Sequence, residues 1–370
     1  MISSRRTRIL IVDDSAVMRS LLRAVISQDG ALEVAGTAAN GESALRAIDA
    51  LRPSLVLLDV EMPVMDGLIT LRKLRARGLR IPVIMCSSLT QRGAKVTIEA
   101  LACGATDYVA KPSGQSSREA AMRALGQDLL PKIHALTRQP QAAMSNGARN
   151  STPAPLTAAQ PITSIPRVLA IGVSTGGPAA LDILLPELPA NFPLPVLIVQ
   201  HMPELFTRQL AERLNDRCRL PVHEAIEGEL VRPGSIYVAR GNWHMQVVAS
   251  TRVGQPTTLH LNQDAPESHC RPAVDVLFRS VAAVYGAGTL AVVLTGMGSD
   301  GMLGARMIRE HGGSVLAQDE ASSAVWGMPG AVSAAGLAHK VLPLKAIAPE
   351  ILRLASRTHT ESQVLREAVV

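Results

Sequence analysis

The chain is predicted to fold as two α/β domains, each a doubly wound parallel sheet, the second larger and carrying an antiparallel hairpin insertion. Three observations lead there. Short β-branched runs alternate with amphipathic stretches through both halves of the sequence. Residues 138–165 are rich in Pro, Ala, Ser, Thr and Gln and hold no helical or alternating pattern. At 370 residues the chain also exceeds one typical domain. The boundaries that follow are 1–137 for the first domain, 138–165 for a linker, 166–357 for the second domain and 358–370 for a polar tail.

In the first domain the strand candidates are RILIV (8–12), LEVAGTA (32–38), SLVLLD (54–59), PVIMCS (82–87) and DYVAK (107–111). Between them lie helical patterns such as AVMRSLLRAVIS, apolar at i, i+3, i+4 and i+7. The second domain begins the same way, with RVLAIGV, PVLIVQ and PVHEA as strands. A Gly- and Thr-rich section follows, in which SIYVA, HMQVVA and TTLHL are expected to be antiparallel. The parallel pattern resumes with TLAVVLTG and GSVLAQ around the helix MLGARMIREHG, and IAPEILRLAS closes the domain.

Composition excludes several classes. No apolar run reaches the roughly 18 residues needed to span a membrane. MISSRRTRILIVDD meets aspartates at once and is not a secretory signal. Cys86, Cys103, Cys218 and Cys270 are widely spaced with no CxxC, so reduced thiols and a cytoplasmic location are expected. The net charge of +6 comes from scattered arginines with little aromatic interleaving, which does not describe a nucleic-acid surface.

Strand ends carry the chemistry. In a parallel doubly wound sheet adjacent strands end on the edge where ligands bind. Strand one ends in Asp13 and Asp14, and strand three in Asp59. Three converging carboxylates call for a cation, and hard oxygen ligands with open positions suit Mg²⁺. Strand four ends in Ser87, a hydroxyl able to hydrogen-bond a phosphoryl oxygen, and strand five in Lys111, a cation that reaches the same place. VDDS, LDVEMPVMDG, MCSS and YVAKP resemble the response-regulator receiver domain of two-component signalling, over residues 7 to 130 or so. The resemblance implies a flavodoxin-like sheet and phosphorylation of Asp59 by a histidine kinase. It also implies Asp13 and Asp14 as Mg²⁺ acids, the backbone carbonyl of Glu61 as a further ligand, Ser87 and Lys111 as switch residues, and Tyr108 as an aromatic that changes rotamer.

The second domain turns on VLAIGVSTGGPAAL (168–181), a strand, a glycine turn and a helix. The dinucleotide pattern fails there for want of a glycine at 174, and the phosphate-loop pattern fails because Pro178 replaces the lysine. G-x-S-x-G does fit, from Gly172 to Gly176, and exposes Ser174 as a nucleophile, with Gly176 and Gly177 expected to clear room for substrate. A serine needs a base, and His201 ends the next strand. Asp300, after TLAVVLTG, supplies the orienting carboxylate. The order Ser174, His201, Asp300 is not that of the α/β-hydrolases. Amides near Met297 and His201 are candidate oxyanion donors, and Thr175 is placed to orient His201 or substrate.

GMGSDG (296–301) competes, since it matches G-x-G-x-x-G between a strand and a helix. It would make the chain a receiver-controlled dinucleotide enzyme. Asp300 would set a negative charge beside the pyrophosphate, and the glycines are better read as bringing the loop close to Ser174.

IGVSTGGP, QHMP, SHCRPAVDVLF, LTGMGSDG and WGMP resemble the catalytic domain of the CheB family of chemotaxis protein-glutamate methylesterases, over residues 165 to 356 or so. The resemblance implies a cytoplasmic serine esterase that releases methanol from glutamyl methyl esters of methyl-accepting chemoreceptors and deamidates receptor glutamines, with no metal at the catalytic site. It also implies a role for Arg271 at the substrate region or in bracing loops. A linker of this length lets the receiver cover the catalytic edge until phosphorylation. A non-enzymatic signalling adaptor is the alternative that the intact Ser, His and Asp set argues against.

Overall fold

In a computed structural model the protein is described over residues 6–112, 115, 117–137, 164–249 and 257–356. The chain divides into two units, Met1–Asn146 and Gly147–Val370. Residues 138–163 of the expected linker and the whole expected tail, 358–370, lie outside the described residues.

In the first unit the apolar runs become β1 (Thr7–Val12), β2 (Leu32–Ala38), β3 (Leu55–Asp59), β4 (Val83–Ser87) and β5 (Asp107–Ala110). All pair in parallel, in the order β2-β1-β3-β4-β5. β3 and β4 are buried at every position, which is why they read as continuous apolar runs. The helices are α1 (Ala16–Ile26), α2 (Gly41–Leu51), α3 (Gly67–Ala76), α4 (Gln91–Ala102) and α5 (Arg118–Thr137). The first four start at side-chain caps: Ser15, Asn40, Asp66 and Thr90 each accept an amide of the first turn. The strand order reverses between β1 and β3, so Asp13 and Asp59 stand at the switch point, where such sheets bind ligands.

The second unit holds a seven-stranded sheet, ordered β14-β13-β12-β6-β7-β9-β8, with every pairing parallel. The strands are β6 (Val168–Val173), β7 (Val196–Gln200), β8 (Val222–Glu224), β9 (Ile236–Val238), β12 (Thr289–Val293), β13 (Ser314–Gln318) and β14 (Lys340–Leu342). β10 (His244–Val248) and β11 (Thr258–Asn262) form the separate antiparallel hairpin. The helices are α6 (Gly177–Leu184), α7 (Glu204–Arg217), α8 (Val274–Tyr285), α9 (Met302–Glu310), α10 (Met328–Ala334) and α11 (Leu344–Ala355).

Two expectations change. SIYVA is not antiparallel: β9 enters the main sheet parallel to both β7 and β8. Its three residues are all buried, the mark of a strand covered on both faces, whereas β11 alternates as a one-sided strand does. Beyond β13 the chain also completes another crossover, through α10 to β14. The core of this unit joins the sheet to α8, with Val274, Leu277, Phe278 and Val281 fully buried against strand residues such as Ala170, Val199 and Val293.

Candidate active site

β6 and β7 are in register with Val173 opposite Gln200, and the His201 amide continues the ladder to the Val173 carbonyl at 3.2 Å. Ser174 and His201 each lie one residue past that pair, so the sheet sets them side by side on neighbouring strand ends, about 5 Å apart along the backbone. On the other flank Ser174 donates its amide to Thr295 O at 3.0 Å, just beyond β12. The loop after β12 returns Asp300 to the same edge. His201 Nε2 lies 2.8 Å from Asp300 Oδ2, and Asp300 is 2% exposed.

Asp300 is saturated. Its Oδ2 also accepts the Val274 amide at 2.7 Å, and its Oδ1 accepts the amides of Asp275 and Gly301 at 2.9 and 2.8 Å. The first turn of α8 thus grips the carboxylate, as a helix N-terminus does an anion. Burial alone would raise its pKa, but the His201 contact and these amides hold it below the ordinary carboxylate value. For His201, burial favours the neutral ring. The hydrogen bond to Asp300 outweighs it, and the pKa rises to about 9.

Asp275, also buried, takes the Gly304 amide at 2.6 Å and so ties the head of α9 to that of α8. Burial pushes it up to about 6 against the Gly304 bond, and the neighbouring Asp300 adds to the rise. These contacts count against the dinucleotide reading of GMGSDG: at the head of α9 the amides of Gly301 and Gly304 are already taken by Asp300 and Asp275.

The turn after β6 is built for tight packing. Gly176 takes φ 78° at the head of α6, a left-handed conformation suited to glycine. The space spared by Gly177 goes to the Gln200 side chain, since a Cβ there would meet Gln200 Oε1 at 2.0 Å. A Cβ on Gly176 would meet Ala324 at 2.6 Å. The expectation that both glycines clear room for substrate is therefore corrected: they admit neighbours from within the fold. Gly296 does bring its loop to the nucleophile, since a Cβ there would lie 2.8 Å from Ser174 Cβ.

The adjacent Met297 amide donates to no described residue and stays available as an oxyanion donor, whereas the His201 amide is spent on Val173 O. Thr175 is buried, its carbonyl accepting Thr295 Oγ1 at 2.9 Å. Arg271 bonds twice to Asn242 Oδ1, at 3.2 and 2.7 Å, and once each to Gln263 O and Asp264 O, at 2.8 and 2.9 Å. It braces loops.

The sequence reading missed four contributors. Gln200 Nε2 donates to Ser174 O at 3.0 Å, linking the nucleophile turn to the next strand. Thr295, Asp275 and Cys270 complete the set, Cys270 Sγ lying 3.5 Å from His201 Nδ1. Gln200, Cys270 and Asp275 all fall inside QHMP and SHCRPAVDVLF, stretches already singled out for other residues.

In the first unit, carboxylate oxygens of Asp13, Asp14 and Asp59 lie within 4.8 Å of one another. Lys111 Nζ is 2.8 Å from both Asp13 Oδ2 and Asp59 Oδ1. One ammonium against three carboxylates leaves excess negative charge around a set of hard oxygen donors, which fits a divalent cation such as Mg²⁺. Burial first, against the opposing pull of Lys111, pushes the Asp59 pKa up to about 6. Ser87 Oγ accepts Thr97 Oγ1 at 2.8 Å. Tyr108 is buried, and Lys132 donates to its carbonyl at 2.7 Å. The Glu61 carboxylate pairs with Arg92 at 3.1 Å.

With this geometry in hand, known proteins offer close parallels. The family model described as CheB methylesterase matches residues 169–351, and that of the response regulator receiver domain matches residues 9–123. A Trichodesmium erythraeum protein named protein-glutamate methylesterase/protein-glutamine glutaminase is 47% identical over 353 residues, covering 94% of this chain and 98% of that one. A Nocardioides protein of the same name is 49% identical, covering 95% and 96%. The crystal structure of the Thermotoga maritima CheB methylesterase catalytic domain aligns at 41% identity with a TM-score of 0.50, covering 51% of this chain and 98% of that one.

Proposed function

The chain belongs to the CheB methylesterase family with a response-regulator receiver domain, and on that footing we propose that it is a phosphorylation-activated serine hydrolase acting on chemoreceptor glutamyl methyl esters and glutamines. The observation that carries the proposal is the buried His201–Asp300 pair one strand away from Ser174.

The chemistry follows from the positions. The ester carbonyl meets Ser174, whose proton passes to His201 as the bond to carbon forms. Asp300 holds the ring and stabilises the imidazolium. The Met297 amide faces the developing oxyanion. His201 returns its proton to the departing methoxide, methanol leaves, and a water attacks the glutamyl-serine ester by the same route in reverse. A receptor glutamine follows this path with ammonia as leaving group.

In the first unit Asp59 is the phosphate acceptor, and the phosphodonor is a histidine kinase of the chemotaxis type. Asp13, Asp14 and Asp59, with the Glu61 carbonyl, would hold Mg²⁺, which when bound supplies positive charge against the phosphoryl oxygens. Lys111 pairs with the phosphorylated side chain, and Ser87 turns its hydroxyl to a phosphoryl oxygen. Among the described residues no helix is long and apolar enough to cross a membrane. The protein would meet its receptors from the cytoplasm.

The test is methanol release from methylated receptor membranes, with and without acetyl phosphate and Mg²⁺. Release that acetyl phosphate accelerates and that Ser174→Ala abolishes is expected. Release retained in Ser174→Ala would sink the nucleophile assignment.

A further inference from the structure

Both ring nitrogens of His201 have partners. Nε2 is held by Asp300, so Nδ1 is the nitrogen left to exchange a proton with Ser174, and Cys270 Sγ faces it at 3.5 Å. We infer that Cys270 is a positioning residue for the general base, its thiol holding His201 in the tautomer whose Nδ1 is free of a proton. The inference rests on the serine-hydrolase reading of the same site.

In the neutral ring, Nε2–H donates to Asp300, and the Nδ1 lone pair accepts the thiol proton. That is the form able to deprotonate a serine. A thiol is a weak donor, so the hydroxyl of Ser174 can displace it as the ester seats. The sulfur forms no covalent bond at any step. The serine proton goes to Nδ1 and on to the leaving group.

The sulfur is placed by a strained and anchored turn. Ser268 and His269 both adopt left-handed backbone, at φ 50° and 62°. Each such residue costs on the order of 1 kcal/mol, and persists where its surroundings over-determine it. Backbone bonds between Glu267 and Cys270 close the turn, at 3.2 and 2.8 Å. Glu267 is fastened to Arg279 of α8 at 2.5 Å, and Arg271 clamps the far side to Asn242 and to the carbonyls of Gln263 and Asp264. The loop-bracing role of Arg271 thereby reaches the base, since its neighbour in sequence is the thiol.

The titratable groups facing His201 are Asp300 and Cys270, with Asp275 and Arg279 behind Asp300 on α8. A thiol that donates to Nδ1 stabilises the neutral ring, so removing it raises the proton affinity of the ring.

The test uses the full-length protein with ¹⁵N-labelled histidine, followed by NMR across pH, alongside methanol release from methylated receptor membranes. In Cys270→Ala the His201 midpoint is expected to rise by roughly half to one unit, the worth of one weak hydrogen bond to the neutral ring, with both neutral tautomers populated. kcat/KM at the high-pH plateau falls about 3- to 10-fold. Cys270→Ser, which keeps a donor, restores most of the midpoint and the rate. An unshifted midpoint and a single unchanged tautomer in Cys270→Ala, with wild-type methanol release intact, overturns the inference alone. Absence of methanol release from the wild type overturns the hydrolase reading, while the spectra still report on the thiol. A Cys270→Ser variant that behaves as Cys270→Ala also counts against the inference, because it assigns the effect to packing.

Discussion

His201 meets Asp300 through Nε2, at 2.8 Å, while both oxygens of Asp300 are gripped by amides of α8 and of Gly301. The carboxylate is thus a joint between the base and the head of a helix. An amide in its place cannot accept at both ends.

Asp300→Asn is expected to lower kcat by about 10³- to 10⁴-fold with the fold retained, because one end of the amide must point a donor at a donor and upset the imidazole tautomer. Steady-state methanol release and circular dichroism check this together. A loss below tenfold would contradict the joint.

As the proposed base His201 works in its neutral form, and its pKa is raised to about 9. Below that value the active form grows with pH, so kcat/KM should climb about tenfold per unit across neutral pH and level off only in the alkaline range. A pH profile of kcat/KM measures the midpoint. A midpoint at the ordinary histidine value near 6.5 would show that Asp300 does not raise it.

Asp59 must be ionised to accept a phosphoryl group, and its pKa is raised to about 6. As pH falls through that value a proton occupies the carboxylate of the metal-free protein, and bound Mg²⁺ pulls the other way, so phosphorylation by acetyl phosphate at limiting Mg²⁺ should fade. Incorporation of labelled phosphate against pH reads this directly. Undiminished labelling down to about pH 4 would place Asp59 at its ordinary value.

Gly296→Ala puts a methyl 2.8 Å from Ser174 Cβ and 2.4 Å from Met328 Sδ. It is expected to cost about 1–3 kcal/mol of stability and to reduce kcat more than it changes KM, since the loop carrying the Met297 amide must retreat. Urea unfolding and steady-state kinetics separate the two effects. A wild-type kcat would show that the loop's closeness to Ser174 is incidental.

A fragment beginning at Ser164 should release methanol severalfold faster than the unphosphorylated full chain if the receiver restrains the esterase. Equal or slower turnover of the fragment would remove the inhibitory half of the regulatory proposal.

The strand ends were the legible part of the sequence. Ser174, His201 and Asp300 follow buried runs whose apolar continuity marks central strands, and the acids of the first unit follow runs of the same kind. The partner of β9 was not legible, because three residues of IYV say little about direction and the choice between parallel and antiparallel is made by what covers the strand. Gln200, Cys270 and Asp275 escaped for another reason. Each acts on a residue distant in the chain, and local spacing holds no trace of such a pairing.

Asp275 and Asp300 lie together at the heads of α8 and α9, and this pair bears on how turnover ends. A methyl ester or an amide arrives uncharged. Hydrolysis converts it to a glutamate, which carries the same sign as the carboxylates behind His201. On the proposed reading that anion meets His201 still protonated at neutral pH, with Asp300 and Asp275 behind it, so product release should quicken as pH rises through about 9 and the ring loses its charge.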